Sequence, residues 1–416
     1  MRHTPVNTTH STAASGTSPN RGGVEIRGIM LLNDFIPVDK SSAIRAILFS
    51  LLTDDDVEVI CGSVLPEDVL SALNCLNLFG KVVEGKDGVS KISGKTKKPL
   101  YSIDCGNSAT MMHILMGISV YLGMDLELTG DASLMSRDHS VFSEAAKLYH
   151  GNFVETALTK ESAQLKSFHL ISMLKSGGRV HFKSRTRRNT EDLLTKMGAK
   201  IVEKTNCIEV SPTETLHGYS VEVKLDPSSA FIAACSALIF GKSFVISNIY
   251  KDDSRMTPFI LLQNAGFDIK IEEEGGSFKV SGTPLCKEAQ DINVLENQVA
   301  EIIDEIPFLA FMVARIGKTF TVRNASWLRN KESDRISESV KRFSLTFETK
   351  EFADGFTVFG ESKHALKGEI QHSSDHRIEM LSFLIAQDCG VCFKMNDSCK
   401  ISFPKFYELT EYLKND

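Results

Sequence analysis

Three short segments place lysine or arginine beside aspartate or serine at the predicted start of a helix. They lie at residues 39–42, 331–335 and 375–377, and the first two contain Lys40 and Lys331. The free N–H groups and the dipole of a helix N-terminus attract anions, and guanidinium groups bind carboxylate or phosphate through paired hydrogen bonds. The pattern therefore predicts loops that bind small, multiply anionic, phosphorylated molecules. Taken singly, each segment also fits an exposed and N-capped helix start.

Carboxylates lie close to these bases in the sequence. Asp304 precedes the apolar run that ends at Val313, and Glu332 lies inside the second basic segment. Two carboxylates in different environments can divide the work of a general acid and a general base. For Asp304, a helix-capping role stays open. Lys331 and Arg335 are four residues apart, so within a helix they would share one face.

Two other motifs lack the context that their chemistry needs. Gly94-Lys95-Thr96 is similar to the end of a P-loop, but the preceding glycine, Gly88, lies one residue too far away. Cys389 and Cys392 follow a predicted helix and enter a predicted strand, the reverse of the order that activates a thiol at a helix N-terminus. A zinc site would need a second pair. We therefore expect neither a metal ion nor a cofactor.

The composition predicts a water-soluble chain of two domains, with no nucleic-acid or membrane partner. The 416 residues exceed the length at which one core stops growing, and no apolar run approaches the ~20 residues of a membrane span. A net charge of −6 argues against a broad basic surface for nucleic acid. Residues 1–23 are rich in Thr, Ser, Asn and Gly, which predicts a disordered tail without a signal peptide. The nine scattered cysteines favour the reducing cytoplasm.

One pattern recurs along the chain: a polar start, an amphipathic helix, a glycine just past its end and then a β-rich run. Its four copies begin at Pro66, Glu191, Thr257 and Ser337, and the last copy lacks the glycine. Irregular spacing excludes a solenoid of fixed period and favours βα units packed into α/β domains. Between the copies, small hydroxyl residues open further helices near residues 41, 108, 162 and 228.

Taken together and in order, these segments resemble the 5-enolpyruvylshikimate-3-phosphate synthase family over nearly the whole chain after the tail. In the first half the resemblance is carried by Asp39-Lys40-Ser41 with Arg45, Gly106-Asn107-Ser108, Thr129-Gly130-Asp131, Ser162-Ala163-Gln164 and Thr190-Glu191. In the second half it is carried by Asp226-Pro227-Ser228-Ser229-Ala230, Ile303-Asp304-Glu305-Ile306-Pro307, Lys331-Glu332-Ser333-Asp334-Arg335, Asp375-His376-Arg377 and Ser402-Phe403-Pro404. Ten segments in the same order make the resemblance specific.

The resemblance implies a two-lobed α/β enolpyruvyl transferase fold, in which each lobe contains three βαβαββ units arranged as an inside-out α/β barrel. One lobe would comprise residues 24–39 and 225–416, and the other residues 40–224. The active site would lie in the cleft between the lobes, which are expected to close on the acceptor and exclude water. We expect a monomer.

The two substrates that the resemblance implies are phosphoenolpyruvate and shikimate 3-phosphate. The residues expected to bind shikimate 3-phosphate are Ser41, Arg45, Ser162, Gln164, Arg187, Asp304 and Lys331. Those expected to bind phosphoenolpyruvate are Lys40, Ala109, Arg137, Gln164, Arg335, His376 and Arg377. Arg45 would contact the shikimate carboxylate, and Ser162 and Arg187 would contact its phosphate.

The implied reaction transfers the enolpyruvyl group of phosphoenolpyruvate to the 5-hydroxyl of shikimate 3-phosphate, in the pathway to chorismate and the aromatic amino acids. We expect Glu332 to protonate the methylene group and Asp304 to remove the hydroxyl proton. Lys40 and Lys331 would stabilise the developing charge and share in proton transfer. Two alternatives stay open: another acceptor, such as a UDP-sugar, or a catalytically silent protein that binds anions.

Some residues depart from the family pattern. Ala109 stands where glycine is usual, and a methyl group there would crowd the phosphoenolpyruvate pocket. Within the family, such an alanine accompanies tolerance of the inhibitor glyphosate, so we expect glyphosate insensitivity. His113 replaces a usual arginine, and Ile44 replaces a histidine. A lysine is expected at Ile401 but occurs one place early, at Lys400, where a strand would point it to the opposite face.

Overall fold

Eighteen strands and fourteen α-helices form in the described part of the chain. The computed structural model describes residues 29–62, 64–86, 88–159, 162–183 and 186–415, so the tail predicted at residues 1–23 lies outside the described residues. The strands are β1 (Ile29–Leu31), β2 (Val57–Ile60), β3 (Val82–Lys86), β4 (Val89–Ser93), β5 (Ile103–Asp104), β6 (Leu128–Thr129), β7 (Val154–Ala157), β8 (Gly178–His181), β9 (Ile201–Glu203), β10 (Cys207–Val210), β11 (Ser220–Glu222), β12 (Ser243–Ile249), β13 (Phe267–Glu274), β14 (Ser277–Cys286), β15 (Ile292–Asn293), β16 (Thr319–Val322), β17 (Glu348–Phe352) and β18 (Gly355–Phe359). The helices are α1 (Lys40–Leu48), α2 (Glu67–Cys75), α3 (Ala109–Leu122), α4 (Ala132–Met135), α5 (Ser140–Ala146), α6 (Ala163–Ser172), α7 (Asn189–Lys196), α8 (Pro227–Ile239), α9 (Thr257–Asn264), α10 (Glu296–Val299), α11 (Ile306–Arg315), α12 (Arg335–Phe343), α13 (His376–Asp388) and α14 (Phe406–Asn415).

Four sheets of four strands share one spatial arrangement, although the chain connects their first strands differently. Their orders are β1-β12-β14-β13, β11-β2-β4-β3, β7-β8-β10-β9 and β15-β16-β18-β17. In each sheet the first two strands are parallel, and the last two form an antiparallel hairpin at the edge. A parallel pair needs a helical crossover, whereas a hairpin needs only a turn. The chain therefore repeats one βα-plus-hairpin unit.

The predicted repeat is confirmed, because its four copies are the helices that lead into the edge strands of these sheets. They are α2 before β3, α7 before β9, α9 before β13 and α12 before β17. In the first three copies a glycine connects the helical segment to the following strand. Gly80, Gly198 and Gly266 have φ angles of 78°, 98° and 104°, a left-handed conformation that glycine adopts at little cost. At the fourth copy Ser344 keeps a right-handed φ of −60°, so no glycine is required there.

Two segments lack a complete sheet among the described residues. The parallel pair β5-β6 flanks α3 without a hairpin. The strand predicted after Cys392 is wrong, because residues 391–396 have no regular structure. Phe393 packs against the neighbouring core, but the backbone N–H of Asn396 donates to the side chain of Glu379 (2.9 Å) rather than to a strand.

The buried apolar residues form two separate cores. The terminal core contains residues from 30–36 and 230–413, and the central core contains residues from 38–223. Helices α8, α11 and α13 belong to the terminal core and α1, α3 and α6 to the central core, and most of their residues are buried. No helix in the described ranges is both long and apolar enough to cross a membrane.

The chain passes between the two cores at two adjacent points. Val38 and Leu225 form an isolated antiparallel bridge. The Asp39 N–H donates to the Lys224 carbonyl oxygen (2.8 Å), and the Asp226 N–H donates to the Pro37 carbonyl oxygen (2.9 Å). Helices α1 and α8 therefore begin beside each other, one in each core.

Candidate active site

A polar cleft lies where the two cores meet. Its lining residues are Val38, Asp39, Lys40, Ser41, Pro66, Arg187, Asp226, Ser228, Arg255, Asp304, Lys331, Glu332, Arg335, His376, Arg377 and Ser402. Nine of them are among the fourteen residues that the sequence assigned to substrates or catalysis: Lys40, Ser41, Arg187, Asp304, Lys331, Glu332, Arg335, His376 and Arg377. The cleft thus combines residues of both cores.

Lys331 and Arg335 converge on one carboxylate oxygen. Lys331 Nζ lies 3.3 Å and Arg335 Nη1 2.7 Å from Asp304 Oδ1. The prediction that the two bases share a helix face is wrong, because α12 begins only at Arg335, where Asp334 caps it by accepting from the Ser337 N–H (3.0 Å). Lys331 follows the 3₁₀ helix Ser326–Asn330 in an extended conformation, from which its side chain contacts Asp304.

The guanidinium of Arg335 lies among three carboxylates, those of Asp304, Glu332 and Asp375. The residue is 1% exposed, and its Nε donates to Asp375 Oδ2 (2.8 Å). Its Nη2 lies 2.5 Å from Glu332 Oε2, while Nη1 reaches Asp304. The guanidinium was expected to bind phosphoenolpyruvate, but each of its nitrogens already donates to a carboxylate. These hydrogen bonds connect Asp304, Glu332 and Asp375 through one side chain.

Neither carboxylate at the start of α11 caps that helix. Glu305 occupies the cap position, but its side chain makes no capping hydrogen bond and instead accepts from Ser228 Oγ. Burial raises the pKa of Asp304, but the charges of Lys331 and Arg335 outweigh it, so the pKa lies well below its usual value. Burial and the charge of Asp304 raise the pKa of Glu305. The two adjacent carboxyls therefore differ in proton affinity.

Lys40 enters the cleft from the first turn of α1. Asp39 caps this helix, accepting from the Ser42 N–H (2.8 Å) and the Ser42 hydroxyl (2.6 Å). Lys40 Nζ pairs with Asp68 Oδ2 (2.9 Å), which the first turn of α2 supplies. Burial raises the pKa of Asp39, but the charges of Arg255 and Arg187 more than offset this, so the pKa is lowered. Asp39 is therefore ionised at neutral pH.

His376 and Arg377 form the first turn of α13 under the cap of Asp375. Burial and the charge of Arg377 lower the pKa of His376 to about 3. A neutral imidazole is therefore favoured inside this cationic site, which leaves Arg377 as the cation of the pair. Arg377 is 6% exposed, and its Nε and Nη1 have no hydrogen-bond partner among the described residues. Buried donors of this kind indicate a site for an anionic ligand.

Arg187 reaches the cleft from a loop that a buried lysine holds. Lys166 Nζ donates to the carbonyl oxygens of Thr186 (3.2 Å) and Arg187 (2.7 Å). The same ammonium pairs with Glu191 Oε1 at 2.5 Å, with both side chains almost fully buried. Lys166 is a residue that the sequence analysis missed, since a lysine in an amphipathic helix usually faces solvent.

Five predicted residues lie outside the lining of this cleft: Arg45, Ala109, Arg137, Ser162 and Gln164. Ala109 is the first residue of α3, and Ser162 caps α6 through the Leu165 N–H. Arg45 is buried, with Nε donating to Thr190 Oγ1 (2.9 Å) and Nη1 to the Ser41 carbonyl oxygen (2.8 Å). In this arrangement Arg45 orders α1 rather than facing the cleft.

Gln164 and Arg137 bond to residues near the N-terminus of α3. Gln164 Oε1 lies 2.7 Å from His113 Nδ1, and Gln164 Nε2 donates to Thr110 Oγ1 (3.1 Å). Arg137 Nη2 donates to Asn107 Oδ1 (2.9 Å). The histidine that replaces the usual arginine is thus part of a hydrogen-bonded chain next to the predicted phosphoenolpyruvate residues.

Five polar residues of the cleft were not assigned to it from the sequence: Asp39, Asp226, Ser228, Arg255 and Ser402. The sequence contains a pattern that could have identified the first three, because residues 39–42 and 226–229 share Asp-x-Ser-Ser at the start of equivalent helices. No sequence pattern identifies Arg255, since it lies in a short 3₁₀ helix, Asp253–Met256, without a recognisable motif.

The strand expected to point Lys400 away from the site does not form. Lys400 lies in the 3₁₀ helix Asp397–Ile401 and pairs with Asp397 (2.8 Å), while Ser402 lines the cleft. Lys400 itself is not among the lining residues. Within the described part of the chain, no group of three or more His, Cys, Asp or Glu side chains is placed to hold a metal ion.

Comparison with known proteins connects this site to one family. The family model of EPSP synthase (3-phosphoshikimate 1-carboxyvinyltransferase) matches residues 33–139 and 140–409. A 3-phosphoshikimate 1-carboxyvinyltransferase of Helicobacter pylori (strain P12) is 32% identical, with 92% of this chain and 98% of the relative covered. The enzyme of that name from Campylobacter jejuni subsp. doylei is 30% identical, with 91% and 95% covered.

Solved structures confirm the predicted fold class. An EPSP synthase from Acinetobacter baumannii superposes with a TM-score of 0.80 at 25% identity, covering 93% of this chain and 96% of that one. The enolpyruvyl transferase NikO from Streptomyces tendae superposes with a TM-score of 0.66 at 13% identity, covering 95% and 96%, and this likeness concerns the fold alone. By sequence over most of its length, the chain belongs to the EPSP synthase (3-phosphoshikimate 1-carboxyvinyltransferase) family.

Proposed function

We propose that this protein transfers the enolpyruvyl group of phosphoenolpyruvate to the 5-hydroxyl of shikimate 3-phosphate and releases phosphate. The observation that carries the proposal is the convergence, from both cores, of six cationic side chains on one cleft: Lys40, Arg187, Arg255, Lys331, Arg335 and Arg377. Each substrate carries a carboxylate and a phosphate, so a cluster of cations offsets their mutual repulsion. Asp304 and Glu332 add two groups that can move protons.

The free donors of Arg377 suit phosphoenolpyruvate. Its Nε and Nη1 are buried and unpaired among the described residues, and they lie on different edges of the planar guanidinium, so each can donate to an oxygen of an anionic ligand. Lys40 would add a second positive charge, and neutral His376 a hydrogen bond. Ala109, Arg137 and Gln164, near the N-termini of α3 and α6, would complete this pocket when the lobes close.

Shikimate 3-phosphate would lie between the two cores. Ser41, Arg187 and Lys331 line the cleft and would bind its polar groups, while Ser162 would present the N-terminus of α6 to its phosphate. Arg45 would turn from Thr190 to contact the carboxylate of shikimate 3-phosphate on binding. The two lobes of the proposed arrangement are residues 24–39 with 225–416, and residues 40–224.

The proposed chemistry balances two proton transfers. Glu332 donates a proton to the methylene carbon of phosphoenolpyruvate while Asp304 removes the proton of the 5-hydroxyl, whose oxygen bonds to the central carbon. The tetrahedral adduct then loses a methyl proton to Glu332, and the C–O bond to phosphate breaks as phosphate receives the proton held by Asp304. Lys331 lies 3.3 Å from Asp304 and stabilises the charge that develops.

Substrate binding would prepare Asp304 for this role. Lys331 and Arg335 hold its pKa well below the usual value in the free protein, which makes it a weak base. Two bound anions would offset these cations and raise the proton affinity of Asp304. The base would thus become effective only when both substrates occupy the cleft.

A phosphate-release assay with different acceptors tests the proposal. Phosphoenolpyruvate is supplied with shikimate 3-phosphate, with a UDP-sugar, or with no acceptor. We expect phosphate release only with shikimate 3-phosphate. Release with the UDP-sugar would assign another acceptor, and no release with any acceptor would leave an anion-binding protein without turnover.

We further propose that the protein works as a monomer in the cytoplasm. All nine cysteines are free thiols, as expected for a reducing compartment. Light scattering after size-exclusion chromatography measures the oligomeric state, and a mass of twice the chain would contradict the monomer.

A further inference from the structure

A single buried arginine lies between the N-termini of the first helix of each core. Arg255 has an 8% exposed side chain, and its Nη2 donates to Asp226 Oδ1 (3.1 Å). Its Nη1 lies 3.7 Å from Asp39 Oδ2. Asp39 caps α1 of the central core and Asp226 caps α8 of the terminal core. One guanidinium therefore bridges two helix caps that belong to different cores.

The two caps are built alike. Asp39 accepts hydrogen bonds from the N–H (2.8 Å) and the hydroxyl (2.6 Å) of Ser42. Asp226 accepts hydrogen bonds from the N–H and the hydroxyl of Ser229, each 2.8 Å long. Each aspartate thus uses one oxygen for its helix and turns the other toward Arg255. A planar guanidinium with several donors can contact both carboxylates, whereas a lysine ammonium acts as a single point charge.

The bridge sits where the chain passes between the cores. Backbone hydrogen bonds link Asp39 to Lys224 and Asp226 to Pro37 at this crossing. Lys40, which follows Asp39 directly, lines the cleft. A change in the separation of the two caps would therefore move Lys40 and α1 relative to the terminal core.

The same guanidinium is also linked, through Ser228, to Glu305 at the start of α11. Arg255 Nη2 donates to Ser228 Oγ (2.9 Å), and Ser228 in turn donates to Glu305. Glu305 is the neighbour of Asp304, the proposed base. Arg255 is thus connected through Ser228 and Glu305 to the segment that carries Asp304, and through Asp39 to helix α1 of the other core.

We propose that Arg255 is a positioning residue that sets the place of Lys40 and Ser41 relative to Asp304 by joining the helix caps of the two cores. It acts through Asp39, Asp226 and Ser228, not by contact with the reacting atoms. The inference rests on the proposed transferase function, since it concerns the geometry of the same cleft. It assigns to Arg255 a role that its sequence context did not indicate.

The test compares wild type with Arg255→Lys, which keeps the positive charge but loses the several hydrogen-bond donors of the planar guanidinium. Phosphate release is measured against phosphoenolpyruvate concentration, at a temperature where circular dichroism shows both proteins folded. We expect kcat to fall roughly 10- to 100-fold and KM for phosphoenolpyruvate to rise, because small displacements of catalytic groups are costly. A purely structural role would lower the thermal midpoint without changing either constant. Values of kcat and KM within twofold of wild type would overturn the proposal.

A matched control is Arg315→Lys in the terminal core. Arg315 also joins separate elements, with Nε 2.5 Å from Asp388 Oδ1 and Nη2 donating to the Ile239 carbonyl oxygen, but it does not line the cleft. We expect its kcat and KM to stay within twofold of wild type. An effect equal to that of Arg255→Lys would show a general cost of losing a guanidinium and would also overturn the proposal.

Two further measurements keep the test decisive. If Arg255→Lys does not fold, Asp226→Asn removes one side of the bridge while asparagine still caps α8. The same loss of kcat is expected, and wild-type constants would refute the bridge.

Calorimetric titration with shikimate 3-phosphate needs no turnover, so it separates this inference from the proposed function. We expect Kd to rise about tenfold in Arg255→Lys through the displaced Ser41, and an unchanged Kd would reject the role of Arg255.

Discussion

Arg335 Nη1 lies 2.7 Å from Asp304 Oδ1, so the proposed base of the reaction is held by a buried guanidinium. The same arginine contacts Glu332, the proposed acid, at 2.5 Å. One side chain therefore fixes the spacing of the two groups that must protonate one substrate and deprotonate the other. Four predictions concern these groups and the anion donors around them, and a fifth concerns the pocket at α3.

Asp304→Asn should retain substrate binding and lose most turnover. Asparagine keeps the shape and accepts a hydrogen bond from Lys331, but it cannot take a proton from the 5-hydroxyl. Removal of a general base lowers kcat by roughly 10²- to 10⁴-fold. Steady-state phosphate release gives kcat, and titration calorimetry with shikimate 3-phosphate gives the affinity. A variant with more than half of the wild-type kcat would exclude Asp304 as the base.

Glu332→Gln should lose most turnover because it removes the proposed general acid. The side chain of Glu332 is 42% exposed, so its carboxylate can exchange protons with water between turnovers. Glutamine keeps a contact with Arg335 but has no acidic proton for the methylene carbon. We expect a loss of about 10²- to 10⁴-fold in kcat with measurable binding of both substrates. Full activity would require another acid, and Lys40 would then be tested.

Arg377→Lys should weaken phosphoenolpyruvate selectively. The lysine keeps the positive charge but loses the buried Nε and Nη1 donors, and hydrogen bonds to charged groups contribute about 1.5–3 kcal/mol. We expect KM for phosphoenolpyruvate to rise about 10- to 100-fold. The KM for shikimate 3-phosphate serves as the internal control and should change less than threefold. Equal changes in both constants would contradict a specific role.

Folding stability should fall from pH 7 to pH 5 more in wild type than in His376→Gln. The folded pKa of His376, about 3, lies below the usual value of 6.5, so the unfolded chain takes up a proton in this window that the folded protein does not. Stability is thus lost as pH falls through 6.5, by about 2 kcal/mol at pH 5.

Urea unfolding at both pH values measures this difference. Burial lowers the pKa of His169 to about 4, and this residue contributes equally to both proteins. Asp39 and Asp375 have lowered pKa values, so their stabilising effect is lost only as pH falls below about 4. Identical pH dependence in wild type and His376→Gln would show that His376 titrates normally.

Ala109→Gly should increase sensitivity to glyphosate. Ala109 is the first residue of α3, next to the Ser108 cap, so its methyl group borders the N–H groups that an anion would approach. A misplaced methyl group costs about 1–3 kcal/mol in a packed site, which predicts a half-inhibitory concentration lower by roughly tenfold or more in the glycine variant. Wild type should resist micromolar glyphosate, and inhibition at that concentration would contradict the expectation.

Much of the fold could be predicted because its repeat has a local signature. An amphipathic helix, a left-handed glycine and a β-rich run follow from side-chain periodicity and backbone sterics, as at Gly80 and Gly266. The strand predicted after Cys392 could not be judged locally, because Phe393 packs on the core as a strand residue would, although no strand in the described part of the chain pairs with it.

The site was only partly predictable for a similar reason. Nine of the fourteen expected residues line the cleft, since basic residues at helix starts are visible in the sequence. The contact of Arg335 with Asp304 and the bridge of Arg255 join residues far apart in the chain, which periodicity does not reveal. The neutral state of His376 likewise depends on burial and on the neighbouring Arg377.

Mass spectrometry of the reaction products tests the central claim most directly. The folded protein is incubated with phosphoenolpyruvate and shikimate 3-phosphate, and the acceptor is analysed for addition of an enolpyruvyl group. We predict that 5-enolpyruvylshikimate 3-phosphate accumulates together with an equal amount of phosphate, and that Asp304→Asn forms almost none. Recovery of both substrates unchanged from the folded wild-type protein would contradict the proposed function.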